Sequence, residues 1–169
     1  DNLIVCQGLT KSYGHKAALT GIDLEVGRGR IVGLLGPNGS GKTTLIKLAN
    51  GLLTPTSGEL TVCGLRPGKE SHALVSFLPE RTAIPTWMSA TQLLDFYGDF
   101  YQDFRRDAAE EMLQHLNISP RQRIKQMSKG TREKVQLIMV MSRAAKLYLL
   151  DEPIGGVDPA TRDYILSTI

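Results

Sequence analysis

The chain has 169 residues, 41% of them apolar and 22% charged, which predicts one globular domain with its own hydrophobic core. The net charge of +3 is mild, and Lys and Arg are scattered among acidic residues without a basic run, which argues against nucleic acid as a partner. The longest apolar runs, LIMVM and LYLL, are too short to cross a membrane, and the N-terminus lacks a signal-peptide pattern, so a soluble, cytoplasmic chain is expected.

The first half of the chain reads as short strands separated by turns, with one helix. LIVCQGL and the alternating TGIDLEV predict strands, and IVGLL, apolar at every position, predicts a strand buried on both faces. A helix is expected from about Lys42 to Leu52, after which TPTSGELTVCGL and ALVSFLPE return to turn and strand. Cys6 and Cys63 lie in apolar stretches, which predicts packing residues in a reducing compartment rather than a disulfide framework.

The second half, from Ser89 onward, has a helical pattern until strand texture returns at KLYLLDEP. Ser89 and Gln92 have capping-box spacing, and Asp103 precedes a stretch with one apolar face. The members of that face are Met112, Leu113 and Leu116. The pattern therefore predicts a mainly helical segment inserted into a sheet-and-helix core.

The strongest chemical signal is GPNGSGKTT, which matches G-x-x-x-x-G-K-[ST] and lies between the strand IVGLL and a helix. Its glycines let the backbone N–H groups turn inward, where they and the helix N-terminus form a nest for phosphate oxygens. Lys42 adds a positive charge at the β- and γ-phosphates, and the Thr43 hydroxyl is placed to ligate Mg²⁺. The segment predicts a nucleoside triphosphate site made by Gly36, Pro37, Asn38, Gly39, Ser40, Gly41, Lys42, Thr43 and Thr44.

A pair of carboxylates follows the strand LYLL. Asp151 falls at the carboxyl end of this strand, where ligands bind in open α/β sheets, and is expected to hold Mg²⁺ directly or through water. Glu152 is expected to face the γ-phosphate and to act as base for the attacking water. Adjacent carboxylates can also simply end a strand at the surface, but a phosphate loop upstream favours the catalytic interpretation.

QMSKGTREKVQL, residues 126–137, predicts the start of an amphipathic helix. Ser128 is the expected N-cap, and Val135, Ile138 and Met139 recur at helical spacing as a core-facing stripe. Taken alone, the stretch indicates only a helix start. Its position between a phosphate loop and a strand-end carboxylate pair gives it a second interpretation.

GPNGSGKTT, MSKGT, LYLLDEP and GGVDP occur in the order, and with nearly the spacing, of ATP-binding cassette (ABC) ATPases, and the whole chain resembles their nucleotide-binding domain. The resemblance implies an α/β fold: a P-loop NTPase (RecA-like) core with an N-terminal antiparallel β subdomain and an inserted α-helical subdomain. In this chain, a single domain, the core is expected at about residues 1–79 and 131–169 and the helical subdomain at about residues 80–130.

The resemblance also implies a composite ATP site in a head-to-tail homodimer or heterodimer. MSKGT stands where ABC ATPases have their signature motif, so Ser128 and the Gly130 amide are expected to reach the γ-phosphate of ATP held by the opposite subunit. Tyr13 matches the aromatic residue that stacks on adenine, although a half-buried Tyr at a strand end is the alternative. Asp158 matches the loop that crosses the dimer interface, and Asp158 before Pro159 is also a good N-cap.

Three residues depart from the family pattern. Glu80 stands where ABC ATPases have a Gln that senses Mg²⁺ and the attacking water. A carboxylate can still coordinate Mg²⁺ but cannot donate a hydrogen bond when ionised, so the coupling role of Glu80 stays open. Lys129 and Thr131 replace a Gly and a Gln of the signature motif.

The segments with these departures, LPE and SKG, resemble the ATP-binding subunits of ABC-2-type exporters. The resemblance implies hydrolysis of MgATP that powers transport through an integral membrane permease, with the ATPase held at the inner face of the cell membrane. TAIPTWMS is expected to lie where the permease docks, with Trp87 and Met88 as candidate contacts. A hydrophobic staple at a helix start is the alternative for this pair.

Two other functions stay open. A nucleotide-binding regulatory module with weak turnover is favoured by Glu80 and Lys129 and opposed by Glu152. A non-transport ABC ATPase acting on nucleic acid would carry a coiled coil or a zinc-binding insert, and the 85 residues between Lys42 and Ser128 show neither heptads nor Cys pairs. ABC ATPases have a switch His after the last core strand, and no His follows LYLLDEP here, so a domain truncated at its C-terminus is expected.

Overall fold

The computed structural model describes residues 2–27, 42–78, 84–150 and 157–167, and for Asn2, Lys42, Thr43 and Leu150 it describes the backbone only. The strands are β1 (Asn2–Tyr13), β2 (Lys16–Gly27), β3 (Ser57–Val62), β4 (Val75–Leu78) and β5 (Leu147–Leu150). The helices are α1 (Lys42–Ala49), α2 (Lys69–His72), α3 (Ala90–Phe100), α4 (Arg106–His115), α5 (Lys129–Met141) and α6 (Pro159–Ser167). A 3-10 turn, Ile124–Gln126, precedes α5. The predicted strand IVGLL, residues 31–35, lies outside the described residues.

The chain divides into two compact units. One comprises Asp1–Ser76 with Ala145–Asp151, and the other comprises Phe77–Ala144 with Glu152–Ile169. The first unit contains the N-terminal strands and α1, and the second contains α3, α4, α5 and α6. The predicted limits of the helical subdomain, residues 80–130, stay a prediction, and α5 and α6 belong to the same compact unit as the helices of that segment.

β1, β2 and β3 form an antiparallel sheet in the order β2-β1-β3, which is the expected N-terminal β subdomain. The turn between β1 and β2 is tight, and Gly14 takes a φ of 61° there, in the left-handed region that favours glycine. The apolar side chains that these strands bury are Leu3, Ile4, Cys6, Leu9, Leu19, Val26, Leu60 and Val62. Cys6 is therefore a packing residue, as predicted, and its burial raises the pKa of its thiol.

β1 and β3 approach each other closely at Gly58. Gly58 has a φ of 82°, and a Cβ added there would lie 2.2 Å from the carbonyl oxygen of Gly8. Gly8 lies at a register shift of β1, and its N–H donates to Asp23 Oδ1 at 2.8 Å. Because no side chain fits into this approach, the pairing of β1 with β3 depends on glycine at position 58.

α1 packs on β2 and β3 and is shorter than predicted. Its buried residues are Leu45, Ile46, Leu48 and Ala49. Gly51 ends the helix because it takes a φ of 74°, and the N–H of Leu52 then donates back to the Lys47 carbonyl at 2.9 Å. Further along the chain, β4 and β5 pair in a two-stranded sheet, so the strand predicted at LYLL is confirmed.

α5 lies at the centre of the helical unit, where α3, α4 and α6 all contact it. The predicted stripe of Val135, Ile138 and Met139 is confirmed, since none of the three side chains is exposed. Burial extends to all seven residues of Val135–Met141, including the polar Gln136, so this half of α5 is covered on every side. None of the described helices combines the length and the hydropathy that a bilayer crossing requires.

α3 begins as predicted. Ser89 Oγ accepts a hydrogen bond from the Gln92 N–H at 3.2 Å, and Gln92 Oε1 accepts one from the Ser89 N–H at 2.9 Å, which completes the capping box. Met88 and Leu93 are both buried and occupy the two positions of a hydrophobic staple, whereas Trp87 is 64% exposed. The staple interpretation therefore suits Met88, and docking through Trp87 stays a prediction.

Candidate functional site

Most of the predicted phosphate loop and all of the predicted carboxylates around it lie outside the described residues. These are Gly36, Pro37, Asn38, Gly39, Ser40, Gly41, Glu80, Asp151 and Glu152. α1 begins at Lys42, so a helix N-terminus directly follows the glycine-rich segment, as the motif requires. Thr44 is half-buried in the first turn of α1. The roles of all these residues stay predictions, and within the described ranges no group of three or more His, Cys, Asp or Glu side chains is arranged to hold a metal ion.

Tyr13, the predicted adenine-stacking residue, ends β1 and is 50% exposed. The Lys11 ammonium lies 5.3 Å from the centroid of its ring, in a cation–π contact, and also donates a hydrogen bond to the Thr54 carbonyl at 2.8 Å. The ring is thus held near the strand end while half of its surface stays open to solvent. This arrangement agrees with both interpretations of Tyr13.

Ser128 is the N-cap of α5, as predicted. Its Oγ accepts a hydrogen bond from the Thr131 N–H at 3.1 Å and lies 2.8 Å from the Thr131 hydroxyl oxygen, and its carbonyl accepts from the Arg132 N–H at 2.9 Å. The amides of Lys129 and Gly130 make no hydrogen bond to another residue within the described part of the chain. Two N–H groups at an exposed helix N-terminus are thereby left to bind an anion.

Arg132 fixes the segment that leads into Ser128. Its Nε donates to the Ile124 carbonyl at 3.0 Å, and its Nη2 donates to the Lys125 carbonyl at 2.8 Å. The N–H of Ile124 donates in turn to the Met88 carbonyl at 2.9 Å, so the turn before α5 is tied to the residue before the α3 cap. The start of α5 is therefore held in one place by hydrogen bonds from both sides of the cap.

Asp158, expected at a dimer interface, is the N-cap of α6. Its Oδ2 accepts from the Thr161 N–H at 3.1 Å, and its Oδ1 accepts from the Thr161 hydroxyl at 2.8 Å. These hydrogen bonds, the one from the hydroxyl foremost, lower the pKa of the Asp158 carboxyl. The Lys134 ammonium lies 3.9 Å from Asp158 Oδ1, so the second turn of α5 lies beside the start of α6. The structure therefore brings the Ser128 helix close to Asp158, two elements that the sequence predicted to share a site.

The C-terminal end of α5 carries an ion pair that the sequence did not predict. Arg143 is 5% exposed, and its Nε and Nη2 donate to the two carboxylate oxygens of Asp103 at 2.9 and 3.1 Å. Asp103 precedes α4, as expected, and its carboxylate pairs with Arg143, two residues after α5, while the N-cap of α4 is Arg105. The Ala144 N–H donates to the Asp103 carbonyl at 2.9 Å, which reinforces the same junction. α4 buries Met112 and Leu113 as predicted, and Leu116 follows its last turn, half-buried.

Two tyrosines of the α3 region complete this junction. The Arg143 guanidinium lies 4.0 Å from the centroid of the Tyr101 ring, and the Tyr97 and Tyr101 rings lie 5.3 Å apart. Burial, foremost, raises the pKa of Tyr97 to about 12. Contacts with one carboxylate and one aromatic ring hold the Arg143 guanidinium in place, which restricts movement of the chain just after α5.

Comparison with solved structures defines the class of the fold. A candidate ABC transporter ATP-binding protein from Pyrococcus furiosus superposes with a TM-score of 0.83 at 26% identity, over 98% of this chain and 82% of that one. The fold is therefore the α/β P-loop fold of ABC ATPase domains, as the resemblance implied.

The sequence comparisons agree with the fold. The ABC transporter family matches residues 19–155. The daunorubicin resistance ATP-binding protein DrrA3 of Streptomyces coeruleorubidus is 33% identical over 177 aligned positions, which cover 100% of this chain and 56% of DrrA3. The linearmycin resistance ATP-binding protein LnrL of Bacillus subtilis is 31% identical over 175 positions, 99% of this chain and 56% of LnrL. The chain belongs to the ABC transporter family, and it spans little more than half the length of these relatives.

Proposed function

We propose that this chain is the ATP-binding and ATP-hydrolysing domain of an ABC transporter of the ABC-2 exporter type, acting with an integral membrane permease at the inner face of the cell membrane. Family membership and the order of the four motifs support the ATPase. The relatives DrrA3 and LnrL are named for resistance to daunorubicin and linearmycin, which favours export over uptake.

The observation that carries the proposal is the start of α5. Ser128 caps the helix through the Thr131 N–H, which leaves the amides of Lys129 and Gly130 for an anion. An exposed helix N-terminus stabilises negative charge, and a γ-phosphate presented by a second subunit is an anion of the right size and charge. Asp158 lies on the same side of the protein as the second turn of α5, 3.9 Å from the Lys134 ammonium, and would contact a head-to-tail partner there.

The remaining roles follow from the motifs. The loop at residues 36–41, with Lys42, Thr43 and Thr44 at the start of α1, would hold the phosphates, and Tyr13 would stack on adenine. Thr43, Asp151 and Glu80 would hold Mg²⁺, which supplies positive charge against the β- and γ-phosphates when it is bound. Glu152 would accept a proton from the attacking water.

Nucleotide binding and hydrolysis can be tested separately. Lys42→Ala should weaken ATP binding measured by calorimetry, because it removes the positive charge at the phosphates. Glu152→Gln should keep ATP affinity and reduce phosphate release by a factor of roughly 10² to 10⁴, the contribution typical of a general base. Unchanged ATP affinity in Lys42→Ala would refute the phosphate-loop assignment, and equal turnover in Glu152→Gln would refute the role of Glu152.

A regulatory module with weak turnover is the second candidate. Lys129, exposed at the first position of α5, stands where the signature motif has glycine and adds a charge beside the expected γ-phosphate. Lys129→Gly separates the two functions. A regulatory module whose weak turnover is caused by this lysine gains turnover in the variant, whereas a transport ATPase in which Lys129 assists phosphate binding loses ATP-dependent dimerisation.

A further inference from the structure

Lys11 connects the end of β1 with the loop that follows α1. Its ammonium donates a hydrogen bond to the Thr54 carbonyl at 2.8 Å and lies 5.3 Å from the centroid of the Tyr13 ring. Lys11 and Tyr13 are two positions apart on one strand, so their side chains leave β1 on the same face. The lysine therefore contacts the ring and the loop at the same time.

Two more hydrogen bonds hold β1 against this loop. The Ser12 N–H donates to Thr56 Oγ1 at 2.9 Å, and the Thr56 N–H donates to the Thr10 carbonyl at 2.9 Å. Both of these bonds fix the backbone of β1 and leave the Tyr13 side chain untouched. Of the three hydrogen bonds at this junction, the one from Lys11 comes from a group that also contacts the ring.

The loop is attached in turn to α1, the helix that begins where the predicted phosphate loop ends. The Leu52 N–H donates to the last turn of α1 at 2.9 Å, two residues before Thr54. α1 starts at Lys42, the predicted phosphate-binding lysine. Contacts therefore run from α1 through the loop to Lys11, and from its ammonium to the Tyr13 ring.

We propose that Lys11 is a positioning residue for the nucleobase: its ammonium covers one face of the Tyr13 ring, holds the ring in place relative to α1 and leaves the other face to adenine. The proposal rests on the proposed function, in which Tyr13 stacks on the base and the start of α1 binds the phosphates. Tyr13 is 50% exposed, so packing alone restrains its ring little. A ring that the ammonium has already ordered loses less conformational entropy when ATP binds.

Two simpler roles for Lys11 make different predictions. A lysine that only attaches β1 to the loop should affect stability and leave the preference for a nucleoside unchanged. A lysine that only attracts anions should contribute equally to the binding of any phosphate compound. The control for charge is Lys16, which is exposed and lies directly opposite Tyr13 on β2, and the control for the loop is Thr56.

The test compares two ligands that differ in the nucleoside. Calorimetry on the 169-residue chain, with Mg²⁺ present, measures the affinities for ATP and for inorganic triphosphate, and the ratio of the two dissociation constants reports nucleoside recognition. Tyr13→Leu should weaken ATP binding by about tenfold, within the range for a base stacked on an aromatic ring. Lys11→Met should weaken ATP binding by about threefold to fivefold, the factor that corresponds to one exposed cation–π contact, and should leave triphosphate binding as in the parent. Lys11→Arg keeps a cation and a donor, so it should restore the affinity for ATP.

The controls separate positioning from the two simpler roles. Lys16→Met and Thr56→Val should both keep the parent's ratio, although Thr56→Val should lower the urea midpoint because it removes a hydrogen bond. Added to Tyr13→Leu, Lys11→Met should have no further effect on ATP affinity, because the ring through which Lys11 acts is gone.

The proposal is overturned if Lys11→Met leaves both affinities unchanged, if it weakens both ligands equally, or if its effect adds in full to that of Tyr13→Leu. A ratio lowered as much by Lys16→Met as by Lys11→Met overturns it as well. A parent that binds both ligands equally well refutes the positioning of the base and leaves the phosphate-loop assignment intact. A parent that binds neither ligand refutes the proposed function and this inference with it.

Discussion

The two ends of α5 differ in their exposure to solvent and in their hydrogen bonding. The C-terminal half is covered on every side and is followed by Arg143, whose cation is fixed by Asp103 and Tyr101. The N-terminal end is exposed, and its cap at Ser128 uses the Thr131 amide while the two preceding amides make no hydrogen bond within the described residues. The C-terminal end of α5 is thus packed within the protein. The N-terminal end leaves two N–H groups available to a ligand.

This difference between the two ends of α5 predicts where substitutions should affect stability and where they should affect function. A packed, ion-paired helix end has no exposed group that could bind a ligand, so substitutions there should destabilise the helical unit. A capped but open N-terminus contributes modestly to stability, so changes there should alter nucleotide-dependent behaviour more than folding. The following variants test this contrast.

Arg143→Met should produce the largest loss of stability, about 3 kcal/mol in the free energy of unfolding, because it leaves the Asp103 carboxylate without its guanidinium partner. The value is at the lower end of the range for broken buried pairs because the Asp103 side chain is 25% exposed. Urea denaturation measures the loss. The matched control is Arg106→Met, which breaks pairs with Asp95 and Glu110 at the surface and should cost less than about 1 kcal/mol. Equal losses in the two variants would show that the end of α5 is not special.

Tyr97 should make the unfolding free energy fall at alkaline pH. Its folded pKa of about 12 is higher than its ordinary value of 10.0, so the folded state holds the proton more tightly than the unfolded chain does. The associated stability is fully present below pH 10 and is lost as the pH rises toward 12, with a total of roughly 2–3 kcal/mol at 1.36 kcal/mol per pH unit. Urea midpoints between pH 9 and 11.5 measure this loss. Tyr97→Phe removes the titrating group, and a variant with the same alkaline slope as the parent would contradict the assignment.

Ser128→Ala should cost about 1 kcal/mol of stability, the usual contribution of an N-cap. The matched control is Ser89→Ala, which removes the cap of α3 and should cost about the same. Under the proposed function the two variants differ in ATP-dependent dimerisation, measured by light scattering: Ser128→Ala loses it and Ser89→Ala keeps it. If both variants dimerise equally well, the open end of α5 has no role at the composite site.

The caps and the core stripe could be predicted from sequence because they depend on local spacing. Ser128, Ser89 with Gln92, and the stripe of Val135, Ile138 and Met139 follow from rules that reach no further than a few residues along the chain. For the same reason the order of the described strands and helices was recognisable except for the short α2, which was not predicted, and the motifs were sufficient to indicate the family.

The long-range pairs could not be predicted. Asp103 and Arg143 are 40 residues apart, and nothing in either local pattern says that the two charges meet. The sequence placed Asp103 only before a helical stretch and gave it no partner. The approach of Gly58 to Gly8 and the exposure of Phe100 likewise depend on how elements pack, because an aromatic residue in a helical pattern is ordinarily assigned to the core.

The smallest change in the free energy of unfolding is expected at Asp158, because its carboxylate, which faces Lys134 of α5, is exposed to solvent. The hydrogen bonds from the Thr161 hydroxyl and N–H lower the pKa of this carboxyl in the folded state. Its contribution to stability is therefore present above the unfolded pKa, near 3.9, and is lost as the pH falls through the lower folded value.

Asp158→Asn should preserve the cap, because Asn is also a good N-cap, while removing this acid-dependent part of the unfolding free energy. Thr161→Val removes the hydroxyl that contributes most to the lowered pKa and should reduce the same pH dependence without removing the charge. Urea midpoints between pH 6 and 3 compare the three proteins. If the unfolding free energy of Asp158→Asn falls with decreasing pH as much as that of the parent, the Asp158 carboxylate is not the group responsible for this pH dependence. Its contact with Lys134 then does not contribute to stability.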